Sequence, residues 1–188
     1  SRWGPLNVAL IYPSLWLFLP YGLYRDSHLR HHRDDRLTAP DEDPETWYVS
    51  AAEWARMGPF HRRLRQALNT LLGRLVLGPI YVLWLTAGRL ADRAASGDRA
   101  YLACWVEHIP AAAIVVAWVV FVCRMPLGHY LLLFVYPGLA LTLLRSFAEH
   151  RAATAVGERT AIIDSGRFFG LLYLYNTLHA LHHAEPRT

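Results

Sequence analysis

Residues 101–144 read YLACWVEHIPAAAIVVAWVVFVCRMPLGHYLLLFVYPGLALTLL, and this stretch decides the fold class. Tyr101 to Cys123 forms one apolar run, uncharged from Ile109 onward, and Leu127 to Leu144 forms a second. A bilayer core about 30 Å thick needs roughly 20 apolar residues in a helix, and both runs come close to that length. Inside lipid every backbone N–H and C=O has to be satisfied within the chain, so such runs fold as helices. Arg124, Met125 and Pro126 separate them and read as a tight turn between two spanning helices.

Working outward, Leu6 to Leu23 is a third uncharged run, interrupted by Pro13, Pro20 and Gly22. It is long enough to cross a bilayer as a kinked helix. It runs directly into Tyr24, Arg25, Asp26 and a histidine cluster. Residues 33–70 are polar, with an acidic loop (Asp41, Glu42, Asp43, Pro44, Glu45) and an Arg-rich amphipathic stretch around His61 to Arg65. Leu75 to Ala87 is short for a span and reads as interfacial or re-entrant. Phe168 to Leu178 is also too short to cross, and it leads into a second histidine cluster. The whole of 1–188 reads as one membrane domain.

Composition supports this reading. The chain is 54% hydrophobic and 13% aromatic, with seven Trp and ten Tyr to occupy the membrane–water interface. Its 19 basic residues are all Arg. A pI near 9.3 would suit a nucleic-acid binder, but these Arg flank apolar runs and make no continuous basic face, so a membrane surface is the partner and nucleic acid is not. Cys104 and Cys123 lack any CxxC spacing and read as small buried hydrophobes.

If the first run and the hairpin both span, the chain reaches one face at Arg25, leaves it near Tyr101 and returns near Arg145. Both histidine clusters then share that face. All Arg except Arg2 and Arg124 lie there too, which makes it cytoplasmic. The expected architecture is an all-α integral membrane bundle with a cytoplasmic cap built from the histidine clusters.

The ten histidines are unevenly distributed. His28, His31 and His32 form HLRHH, and His179, His182 and His183 form HALHH. Positions i, i+3 and i+4 share one helical face, so each cluster presents three imidazoles to one side, where two can reach different metals. Imidazole is largely neutral at pH 7 and available as a ligand. Histidine ligation without thiolates suits iron, zinc or copper. Asn176 lies on the same stripe as His179 and His183 and can ligate weakly or hold a metal-bound water. His150, just past the hairpin, is the candidate seventh ligand.

The bland alternative for the clusters is a pair of solvated turns rich in His, and the repeated spacing argues against it. For Asp34, Asp35 and the acidic loop, solvation is the favoured reading; the alternative for Asp34 or Asp35 is to orient cluster imidazoles through their free N–H groups. His129 falls on the far side of the membrane, His108 reads as interfacial beside Glu107 and Pro110, and His61 belongs to a basic surface.

The paired HxxHH motifs, the hairpin between them and the NxxHxxHH form of the last cluster resemble the membrane fatty acid desaturase superfamily. The stretch Tyr24 to Glu45, YRDSHLRHHRDDRLTAPDEDPE, and the ending NTLHALHHAEP resemble its bacterial members. The resemblance implies two non-haem iron ions held by histidines, O₂ as oxidant, and attack on an unactivated C–H bond of a lipid acyl chain. His28, His31 and His32 would be the second histidine box and His179, His182 and His183 the third. His150 falls where the family carries an extra ligand. The family also has a first box, HxxxH or HxxxxH, and nothing here matches it. The expectation is a fragment that starts just after that box, stops soon after the third, and is short of ligands on its own.

There is no GxGxxG fingerprint, CxxC pair or CxxCH haem attachment. Electrons would then come from an external donor of ferredoxin, rubredoxin or cytochrome type. The Arg-rich surface (Arg56, Arg62, Arg63, Arg65, Arg74) suits either an acidic partner or lipid headgroups. Within the superfamily the alternative is a hydroxylase or ketolase of alkanes, carotenoids or sphingolipids. Outside it, the alternatives are a membrane metal-handling protein or a non-catalytic homologue.

Overall fold

The computed structural model describes residues 4–32, 36–40, 42–164, 166–173 and 179–184, without the side chains of 181, 182 and 184. Among these the architecture is all-helical, with no strand. In chain order the helices are α1 (Gly4–Ile11), α2 (Tyr21–His31), α3 (Ala51–Arg56), α4 (Pro59–Leu68), α5 (Leu71–Val76), α6 (Gly78–Ala95), α7 (Arg99–Ala117), α8 (Leu127–Tyr130), α9 (Tyr136–Glu149), α10 (Arg167–Leu172) and α11 (His179–Ala184). The chain divides into two compact units: Ser1–Asp26 with Leu71–Leu143, and Ser27–Thr70 with Leu144–Thr188.

The first unit contains the hairpin. α7 continues through a π-helical turn at Trp118–Val122, and α8 joins α9 through another at Leu131–Val135. The resulting helices, Arg99–Val122 and Leu127–Glu149, are the two described helices long and apolar enough to cross a membrane. At 24 and 23 residues they measure about 35 Å at 1.5 Å per residue, which matches a bilayer core. Only 22% and 17% of their most apolar windows are buried, unlike the mostly buried core helix of a soluble domain. Ile109, Ile114, Trp118, Phe121, Val122, Leu132, Leu133 and Phe134 are all exposed, an apolar exterior of the kind found on membrane-facing or partner-facing surfaces. The inward face is small: Val115, Val119 and Tyr130 form a cluster, with Leu17, Met125 and Val135 packed against it.

The tight turn falls where expected. Arg124 takes φ 55, Met125 N–H bonds back to the Val119 carbonyl at 3.1 Å, and Pro126 precedes the first turn of α8. The turn from α6 to α7 follows the same logic. Gly97 adopts φ 70 just past the end of α6, a conformation costly for any residue with a Cβ. Asp98 then caps α7 by accepting the Tyr101 N–H at 3.0 Å, and it pairs with Arg93.

Three sequence expectations require correction. Leu6 to Leu23 is not one kinked helix. α1 ends at Ile11, and the next helix starts only at Tyr21. Pro13 has no N–H to continue α1 and disfavours helical geometry at Tyr12, and Leu17 sits at φ 65. The carbonyls freed by this break are taken up by the hairpin. His108 Nε2 lies 3.0 Å from the Leu17 oxygen, and the Tyr130 hydroxyl donates to the Leu15 oxygen at 2.5 Å. His108 is therefore buried, not interfacial. Cys104 is half-buried and Cys123 is exposed, so the second cysteine is not a core residue. The apolar stretch 75–87 forms the end of α5 and the first half of α6, whose second half carries Arg89, Asp92 and Arg93.

In the second unit α3 and α4 form a helical corner. Ser50 caps α3 through the Glu53 N–H. Arg62 of α4 donates to the Trp54 and Ala55 carbonyls at the end of α3 and lies over the Trp54 ring. Leu68 is the buried anchor of α4.

Candidate metal centre

His28, His31, His32, His150, His179 and His183 all lie in the second unit. The last turn of α2 carries His28, His31 and His32, and the His32 N–H still bonds to the His28 carbonyl at 3.1 Å. α9 stops at Glu149. His150 follows in an antiparallel bridge with Thr160, tightened by Arg151 N–H to Arg159 O and Ala161 N–H to Glu149 O. α11 opens on His179, which sets His183 one turn further along the same face.

Four imidazoles converge. His31 Nε2 lies 3.1 Å from His150 Nε2, His150 Nε2 lies 3.1 Å from His179 Nε2, and His179 Nε2 lies 3.1 Å from His183 Nε2. One ligand atom from each of the four falls within 4.8 Å of the others. A second pair stands beside them: His28 and His32 bring their Nε2 atoms to 3.2 Å, and the His32 ring stacks on His183 at 4.3 Å. The i, i+3, i+4 spacing of the first cluster thus divides between two groups, His31 going to one and His28 with His32 to the other.

The outer nitrogens face carboxylates. His31 Nδ1 is 2.9 Å from Asp43 Oδ1, His28 Nδ1 is 3.3 Å from Glu45 Oε1, and His179 Nδ1 is 3.5 Å from Glu149 Oε2. Asp43 accepts two further bonds, from the Thr38 N–H at 2.8 Å and the Glu45 N–H at 2.9 Å. Thr38 takes φ 62 to make this clasp. Leu37 is buried beside it, and its carbonyl accepts from Arg159. Glu149 is held from behind by Arg145 Nε at 2.6 Å.

The electrostatics follow from these contacts. Burial opposes charge on His31, but the hydrogen bond to Asp43, with Glu45 and Glu149 nearby, outweighs it and raises its pKa. Burial would raise Asp43, yet the bonds from His31 and from the Glu45 and Thr38 backbone hold its carboxyl below the usual range. Glu45 is likewise held low, its burial outweighed by the bond from His28 and the charges of His31 and His28. His150 has no such carboxylate behind it, and burial, together with the His31 charge, pushes its pKa down to about 4.

A donor set of this kind fits a metal. A carboxylate behind an imidazole keeps the proton on Nδ1 and turns the Nε2 lone pair inward. Neutral Nε2 atoms about 3 Å apart repel unless a proton or a cation lies between them. For ligands at about 2.1 Å from one ion, neighbouring nitrogens fall about 3–3.4 Å apart, close to the contacts seen here. Four nitrogens without thiolate match borderline divalent ions such as iron or zinc.

Among the residues singled out from sequence, His31, His150, His179 and His183 come together, and His28 and His32 form the adjoining pair. The His182 side chain, Asn176, Asp34 and Asp35 lie outside the described residues. His61 and His129 are exposed. The expectation of a solvated acidic loop is overturned at Asp43, which is 6% exposed and bonded to His31, while Glu42 of the same loop is exposed. Asp43, Glu45 and Glu149 are the functional candidates that sequence reasoning missed. The signals were a carboxylate adjoining His150 in sequence, and two more flanking Pro44 shortly after the first histidine cluster.

No curated protein and no solved structure matches the chain. A family model does, that of the fatty acid desaturases, and it aligns with residues 1–188. A family of membrane-bound oxidoreductases fits both the histidine cluster and the apolar hairpin, and the chain belongs to the fatty acid desaturase family.

Proposed function

We propose that this chain is the core of an O₂-dependent oxidase of lipid acyl chains, and that its reaction is desaturation. In balanced form, a CH₂–CH₂ unit, O₂, two electrons and two protons give CH=CH and two waters. The observation that carries the reading is the convergence of His31, His150, His179 and His183 with carboxylates behind two of them. In this reading the four histidines hold one iron ion. His28 and His32, with His182 and Asn176 completing the set, hold a second. Asp34 and Asp35 join the surrounding polar shell.

Bound iron would supply the oxidising power that no side chain has. The protein's own residues do the rest. The buried carboxylates hold the imidazoles in orientation, the apolar hairpin offers an acyl tail an apolar surface, and an external ferredoxin, rubredoxin or cytochrome delivers electrons. The histidines face the cytoplasm in this proposal, and the two units belong to one desaturase domain.

The test is to express the chain in a host whose membrane lipids are defined, measure bound metal in the purified protein, and analyse fatty acids by mass spectrometry. Iron in the wild-type protein with acyl chains two mass units lighter supports the proposal, and both should vanish in His31→Ala. Acyl chains sixteen mass units heavier would replace desaturation by hydroxylation. A wild-type protein that binds no metal would remove the basis of the reading.

A further inference from the structure

Two of the four clustered imidazoles have a buried carboxylate at the outer nitrogen. Asp43 is hydrogen-bonded to His31 Nδ1 at 2.9 Å, Glu149 stands 3.5 Å from His179 Nδ1 as an ion-pair contact, and both carboxylates are almost fully buried. His150 lies between His31 and His179 in the chain of Nε2 contacts, and His183 follows His179. Neither carboxylate is free to turn. Asp43 is fixed by two backbone N–H groups and Glu149 by the Arg145 guanidinium. Glu42, in the same loop as Asp43, is by contrast an exposed partner of Arg36.

We propose that Asp43 and Glu149 are the positioning residues of the four-histidine cluster, setting the tautomer and ring orientation of His31 and His179 and thereby the affinity for a divalent cation. The proposal rests on the reading of the cluster as a metal centre. An imidazole whose Nδ1–H is committed to a fixed carboxylate has only Nε2 to offer as a ligand. The carboxylates also bring negative charge to a buried cation that would otherwise be costly to desolvate. An amide at position 43 cannot do the same. It has one acceptor oxygen, whereas His31, Thr38 and Glu45 present donors to both oxygens of Asp43.

The experiment is a Co(II) titration of the full chain in detergent micelles, followed by visible absorption, with circular dichroism on every sample. For Asp43→Asn and Glu149→Gln the expected result is helix content like wild type, Co(II) affinity lowered by roughly 10–100-fold, and an altered cobalt spectrum. Asp43→Glu, which keeps the carboxylate, should recover part of the affinity, and Glu42→Gln should match wild type. A purely structural role would lower thermal stability and leave the cobalt spectrum unchanged, and that result overturns the proposal. If Asp43→Asn loses its helical signal, Glu149→Gln decides alone: unchanged affinity there overturns the proposal, and lowered affinity sustains it. Wild-type protein that binds no Co(II) overturns the metal reading and this inference together. Wild-type binding with unaffected variants overturns only the inference.

Discussion

His108 Nε2 lies 3.0 Å from the carbonyl oxygen of Leu17, a residue 91 positions earlier in the chain. Leu17 sits at φ 65 within the break between α1 and α2, where its carbonyl needs a partner from outside a helix. The imidazole supplies one, donating from a buried position on α7. Replacing His108 with Leu keeps the apolar bulk and removes the donor. The expected cost is about 1–3 kcal/mol, visible as a lower midpoint in thermal unfolding in micelles, with metal content unchanged. His108→Gln retains a donor and should recover part of the loss. Equal midpoints for all three proteins would mean that the bond contributes nothing.

Gly97 makes the turn between α6 and α7 at φ 70, and no atom lies within 4 Å of where its Cβ would be. The penalty for a side chain is therefore conformational and not steric. Gly97→Ala should destabilise by about 1–2 kcal/mol, and Gly97→Asn by less, since Asn tolerates the left-handed region. Chemical denaturation of the three proteins would order them, and an Ala variant as stable as wild type would contradict the assignment.

Adjacent arginines on α4 should behave differently. Arg62 donates to two backbone carbonyls of α3, while Arg63 is exposed. Arg62→Ala is expected to lower stability by about 1–2 kcal/mol, and Arg63→Ala to leave it unchanged. If Arg63→Ala proved the more damaging, α4 would have to be held through its outer face.

His150 and His129 offer a matched pair for metal content. His150→Ala removes one of four converging nitrogens and should cost most of the tightly bound metal, whereas His129→Ala, exposed on α8, should leave it intact. Elemental analysis of purified protein distinguishes the two. Equal loss in both would point to general misfolding.

The hairpin and the histidine spacing were legible because each is a local pattern. Apolar run length specifies a spanning helix, and i, i+3, i+4 spacing specifies a shared face. His150 was also within reach, being a histidine just beyond the second span. The break at Tyr12 to Pro20 was harder to foresee. Two prolines in an apolar run allow either a kinked span or a broken one, and the choice rests on whether other side chains can cap the freed carbonyls. His108 and Tyr130 do so from far along the sequence, and no local signal marks such a pairing. Asp43 was obscured by its neighbours. An acidic loop reads as solvated, and only the three-dimensional clasp through Thr38 and Glu45 separates the buried carboxylate from the exposed Glu42.

The unit that carries the histidines is discontinuous in sequence: Ser27–Thr70 is made first, and Leu144–Thr188 only after the whole of Leu71–Leu143. During synthesis at about 5–20 residues per second, His28, His31 and His32 therefore wait several seconds or more before His150, His179 and His183 exist. Through that interval the residues of the hairpin are being made while half of the other unit has nothing to close on. The order of synthesis therefore completes the apolar hairpin at Glu149 before all the clustered histidines exist.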